Sequence, residues 1–187
     1  MIIREAIVSL YGSWRLARLD PRGLELFDRS DAGALRSFAA ALPVLPLYML
    51  ATLMLSPPRS QGANPLHWLS VQAIAYVLSW VAYPVAAEWL TRAMGCRQRF
   101  AGYLSAYNWS TVLQNAALLP LTLLTISGAF PADLLQLLWL AAIAVIMGWL
   151  WFIARTALAI GGLAAAGLVL VDESLSMLID SIVTRLS

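Results

Sequence analysis

This chain of 187 residues reads as an all-α protein, a polytopic bundle of helices in a membrane, and three observations carry that reading. Apolar residues make up 61% and charged residues 12%, where a soluble domain averages about 45–50% and about 25%. Mean hydropathy is +0.77. So much apolar surface exceeds what one soluble domain can hide, since even a ~150-residue domain buries only about 70% of what its unfolded chain exposes. Uncharged runs of about twenty residues recur, the length a helix needs to cross a hydrocarbon core of about 30 Å. Arginine numbers alternate from one inter-span loop to the next, as they do in multispanning proteins. A disordered chain, a disulfide scaffold and a nucleic-acid-binding arm are excluded.

Residues 1–36 form an amphipathic segment and residues 37–187 the transmembrane bundle. On a helix, Ile3, Ala6, Ile7, Leu10, Trp14 and Ala17 share one face, flanked by Arg4, Arg15 and Arg18. That pattern predicts an interfacial helix with basic residues at headgroup level. Asp20-Pro21-Arg22-Gly23 makes a turn, and Ser30 or Asp31 caps the helix that leads into the first span. The first span runs from Phe38 to Leu55, with Pro43 and Pro46 kinking it near its start. Trp68 to Ala87 is the second span and ends just before Glu88. Phe100 to Ile126 is the third, long enough to span with tilt. Leu134 to Ala154 is the fourth and carries Trp139, Trp149 and Trp151.

After Arg155 the sequence allows two readings. Residues 156–171 are apolar and rich in small residues, with a Gly161-Gly162 pair that can break a helix. Beyond them Leu175, Leu178, Ile179, Ile182, Val183 and Leu186 share one side of a wheel, and Asp172, Glu173, Ser176, Asp180 and Thr184 the other. Either a fifth span runs from about Leu163 to Ile182 with its acids facing the bundle, or 172–187 lies in the interface.

Six arginines precede the first span, and Arg59 alone stands in the first loop. Arg92, Arg97 and Arg99 fill the second loop, and the third has none. The N-terminus is therefore expected in the cytoplasm. All twelve basic residues are Arg, with no Lys, which in an Ala- and Leu-rich chain suggests a GC-rich bacterial genome and a bacterial inner membrane. Cys96 and His67 are each the sole residue of their type. They exclude an internal disulfide and leave no metal site. No nucleophile elbow, His-Glu-x-x-His motif or phosphate loop occurs, so no enzyme activity and no cofactor are expected.

The third span and its approach read Arg99-Phe-Ala-Gly-Tyr-Leu-Ser-Ala-Tyr-Asn-Trp-Ser-Thr-Val-Leu-Gln114. Together with Tyr11-Gly-Ser-Trp-Arg-Leu-Ala-Arg18 and Ala165-Ala-Gly-Leu-Val-Leu-Val-Asp172, this resembles small bacterial membrane proteins of the Yip (Ypt-interacting-protein) domain type. The resemblance covers nearly the whole chain. It implies five spans, a cytoplasmic N-terminus and a C-terminus on the far side, and it favours the fifth span above. Eukaryotic members of that family bind small GTPases and help organise vesicle membranes. Their Asp-Leu-Tyr-Gly-Pro motif is only partly matched by Ser9-Leu-Tyr-Gly-Ser13, so GTPase binding does not carry over.

Candidate residues fall into three groups. On the third span Tyr107, Asn108, Ser110, Thr111, Gln114 and Asn115 gather on one side. Unpaired amides are costly in hydrocarbon, so this side meets other helices or a hydrated path; hydrogen bonding between spans is the commoner use. Asn108-Trp109-Ser110 matches a glycosylation sequon but lies within a span and is discounted. Glu88 and Arg92 form an i,i+4 pair at a membrane boundary. Asp172 and Glu173 are protonated or paired if they lie at membrane depth, and otherwise form a solvated helix face. His67 beside Trp68 is an ordinary interfacial aromatic pair.

The expected function is a non-enzymatic membrane-organising or scaffold role. Its partners would be the bilayer, other membrane proteins or further copies of the chain, and not nucleic acid. The alternatives are a small transporter or channel using the third-span residues, and an accessory subunit of a larger complex. Scarce intramembrane charge favours the scaffold. A membrane-depth position for Asp172 or Glu173 reverses that order.

Overall fold

A computed structural model gives the fold of residues 2–55 and 64–186. Arg59 and the rest of the first loop lie outside these described residues, as does the side chain of Ile3. The described residues contain no strand. Helix α1 (Ile2–Ala17) is followed by a 3-10 turn at Pro21–Leu26 and then by α2 (Asp31–Ser37). A second such turn at Phe38–Ala40 joins α2 to α3 (Ala41–Leu55). Helices α4 (Pro65–Ala93), α5 (Phe100–Ser127), α6 (Ala132–Leu158) and α7 (Gly162–Leu186) complete the chain. Five stretches are long and apolar enough to cross a membrane: Asp31–Met54, Pro65–Ala93, Arg97–Ser127, Ala132–Leu158 and Gly162–Leu186. The protein is an all-α membrane bundle with five such spans.

Local chemistry sets the ends of these helices. Ser30 caps α2, its Oγ accepting from the Gly33 N–H at 3.0 Å. Asn64 caps α4 in the same way through Leu66, with Pro65 at the first helical position. Gly128 ends α5 in the left-handed region at φ +62°. Ala159 ends α6 there too, at φ +50°, a conformation that glycine adopts more cheaply. The Gly161-Gly162 pair lies at the start of α7 rather than inside it, so the last segment is one uninterrupted helix.

Helix α5 is the centre of the bundle and packs against α1, α2, α3, α4 and α6, while α7 fills the space between α4 and α6. At one end Arg99 Nη1 donates to the Leu158 carbonyl at 2.9 Å, and Ser105 Oγ donates to the Asp28 carbonyl at 3.1 Å. At the other end His67 Nε2 lies 3.0 Å from the Leu186 carbonyl. Nearly all the described arginines collect at the first of these ends, and Arg185 stands near the second.

Helix α1 is docked on the bundle. Its buried face is Ser9, Gly12, Ser13 and Leu16, seated on α5 and the Pro21–Leu26 turn. Gly12 and Gly23 meet backbone to backbone: a Cβ on Gly23 would stand 2.6 Å from the Gly12 carbonyl oxygen. The hydrophobic wheel placed Ala6 and Leu10 with Ile7 and Trp14, but Ala6 and Leu10 pack against the protein core. Ile7, Tyr11 and Trp14 stay exposed beside Arg4 and Arg18. Arg15 grips Asp20 at 2.5 Å, and this bond with the Arg22 N–H holds the Asp20 carboxyl below the usual carboxylate range. Arg36 ties α1 to the next turn through Glu5 at 3.1 Å and Asp28 at 2.5 Å.

Candidate functional site

Asp172 stands ten residues into α7, a rise of about 15 Å from its start. That is the middle of a span. The residue is 7% exposed and its carboxylate accepts from the Tyr107 hydroxyl, which lies 2.9 Å from both oxygens. Tyr103 and Tyr107 are one turn apart on α5, so their rings rise on the same side of that helix. Tyr83 reaches in from α4. Its ring centroid lies 4.7 Å from that of Tyr107, and its hydroxyl is hydrogen-bonded to the Tyr103 hydroxyl. Both Tyr83 and Tyr103 are buried. Three helices thus enclose one carboxyl group with three tyrosines.

Among the described residues no Arg forms an ion pair with Asp172. An ionised carboxylate here has no counter-charge, and one hydroxyl does not replace its water. The geometry therefore has a place for a proton or a small cation. Tyrosine hydroxyls suit such a place because each can both donate and accept. Among the described residues no cluster of three His, Cys, Asp or Glu could hold a metal ion.

Among the described residues the other polar α5 side chains make no hydrogen bond to Asp172. Asn108 is fully buried and its Nδ2 donates to Ser37 Oγ at 2.8 Å; Ser37 in turn donates to the Ala34 carbonyl. Thr111 donates to the Tyr107 carbonyl and Asn115 to the Thr111 carbonyl, both within α5. Ser110 is buried and its hydroxyl has no partner among the described residues. Gln114 lies two turns beyond Tyr107, at the edge of a cleft against α1 and α6. Glu173 is half-buried beside Asp172 and has no ion-pair partner among the described residues. Glu88 accepts from both Arg92 at 2.6 Å and Arg97 at 3.0 Å at the arginine-rich end.

Sequence reasoning missed Tyr83, Tyr103 and Ser37. A tyrosine inside a span reads as packing, and only the four-residue spacing of Tyr103 and Tyr107 hinted at a shared face. Comparison of the chain with family models, curated proteins and solved structures returns no match.

Proposed function

We propose that this protein is a small membrane transporter or channel in which Asp172 binds and releases a proton. One observation carries the reading: a carboxyl at mid-span, 7% exposed, whose only polar side-chain partner among the described residues is a tyrosine from a different helix. Ionisable groups inside a span are rare and costly, and such a residue is a functional-site candidate by default. On this reading Tyr107 holds the carboxyl in place, and the buried Tyr83–Tyr103 pair extends the polar cluster around it. The reading takes the arginine-rich end, with α1, as cytoplasmic in a bacterial inner membrane, supported by the arginine asymmetry. The resemblance to Yip-type proteins rests on the residues quoted for it and implies five spans.

The test is proton movement into vesicles that contain the purified protein, driven by a pH gradient and read with an internal dye. Uptake above that of empty vesicles is expected, with loss in Asp172→Asn and reduction in Tyr107→Phe. Uptake that Asp172→Asn leaves unchanged, or none in the parent protein, refutes the reading.

A scaffold role is the second reading, and a separate feature favours it. Ala141, Ala144 and Gly148 form an exposed strip on one face of α6. Small residues at such spacing let helices of two membrane proteins approach closely.

A further inference from the structure

At the arginine-rich end, where the Pro21–Leu26 turn, the loop before α5 and the last turn of α6 meet, lies a cavity of about 370 Å³. That volume falls in the range of about 300–1,000 Å³ usual for small-ligand sites. Its walls include Glu25, Arg29, Arg99, Gly102 and Thr156. The fold holds both arginines there. Arg99 Nη1 donates to the Leu158 carbonyl at 2.9 Å, and Leu158 sits between two further wall residues, Ala157 and Ala159. Arg29 lays its aliphatic stem over Gly102, where a Cβ would stand 3.1 Å from the Arg29 Cγ. Gly102 follows Arg99 by three residues, so the two arginines meet the same side of the chain as it enters α5.

These groups share the cavity without neutralising one another. Among the described residues Arg29, Arg99 and Glu25 form no ion pair, although Arg15, Arg36, Arg92 and Arg97 at the same end all do. Thr156 is left open as well. Every other threonine of the chain donates its hydroxyl to a carbonyl one turn back, and Thr156 makes no such bond among the described residues. Charge narrows what fits. Two guanidinium groups against one carboxylate leave one positive charge, and their N–H forks match phosphate oxygens. A zwitterion brings no net charge to balance it. Sulfate carries no proton at neutral pH and would only be repelled by Glu25. We propose that this cavity binds one anionic phosphate that bears, or is attached to, a hydroxyl group. Arg29, Arg99 and Thr156 donate to its oxygens, and Glu25 accepts from its hydroxyl. A small soluble phosphate and the phosphate headgroup of phosphatidylglycerol share that chemistry.

The site is independent of Asp172. Its test is titration calorimetry of the full-length protein, exchanged into lipid-free neutral detergent, with inorganic phosphate, sulfate or short-chain phosphatidylglycerol. One phosphate should bind per chain, about tenfold tighter than sulfate. Arg29→Gln changes an exposed residue and should weaken phosphate about tenfold. Glu25→Gln removes the repulsion and should bring sulfate level with phosphate, a change of selectivity that a merely structural role would not produce. Phosphatidylglycerol binding more tightly than phosphate assigns the site to a lipid headgroup, and the reverse order to a soluble phosphate. No phosphate binding, equal binding of sulfate by the parent protein, unchanged affinity in Arg29→Gln, or selectivity that survives Glu25→Gln would overturn the assignment.

Discussion

At Asp172 the energetic question is what stands in for water around a carboxyl group. The Tyr107 hydroxyl supplies one donor, shared between both oxygens at 2.9 Å. Side-chain hydrogen bonds between spans average about 0.6 kcal/mol and reach about 1.7 kcal/mol at most, because the unfolded chain in a membrane also finds partners. Tyr107→Phe should therefore lower stability in detergent by about 0.6–1.7 kcal/mol. Asp172→Asn keeps an acceptor at the same place and removes the charge, so its cost should be smaller. The double variant should cost clearly less than the two single losses together, since both remove one contact. Thermal unfolding of the four proteins measures this, and strict additivity would mean that Tyr107 and Asp172 do not interact. This site was half legible in the sequence. Asp172 stood out as an acid in an apolar run, but its depth depended on where α7 begins. Tyr107 is 65 residues away, a separation no local pattern bridges.

Helix α1 shows how a hydrophobic wheel misleads beside a membrane. The wheel ranks faces by apolarity, yet the face that meets the protein is Ser9, Gly12, Ser13 and Leu16. In lipid, apolar surface gains nothing by leaving the bilayer, so small residues that allow close approach make the contact instead. The tightest point is Gly12 against Gly23. Gly23→Ala puts a methyl group 2.6 Å from the Gly12 carbonyl oxygen, where a backbone must move. A cost of about 1–3 kcal/mol is expected, as for other overpacking changes. It should appear as faster hydrogen exchange along α1, with α6 and α7 unaffected. Gly167→Ala is the control: nothing lies within 4 Å of its added methyl, so exchange along α1 should stay as in the parent. The spans themselves were legible because length and hydropathy alone define them. The Ser30 cap was legible too, since a hydroxyl before an apolar run has a direct use at a helix start.

For the whole molecule, five spans place the two chain ends on opposite faces of the membrane. With the arginine-rich end proposed as cytoplasmic, reporters fused before Met1 or inserted at Arg97 should give cytoplasmic signals. Insertions at Gly128 and fusions after Ser187 should give periplasmic ones. A cytoplasmic signal at Gly128 would contradict the orientation, and one after Ser187 would remove the fifth crossing. The central position of α5 also has a consequence for how the protein is made. Helices α1, α2 and α3 all rest on α5, yet α5 begins only at Phe100. At about 5–20 residues per second, the ribosome needs several seconds between releasing α1 and finishing α5. Throughout that interval Ser37 has no Asn108, the Asp28 carbonyl has no Ser105, and the first two spans have no common support. The early spans must therefore wait, side by side with lipid or a holding factor, for a helix that arrives third. The carboxyl on α7 reaches the tyrosines last of all, so its polar pocket is assembled before its acid arrives.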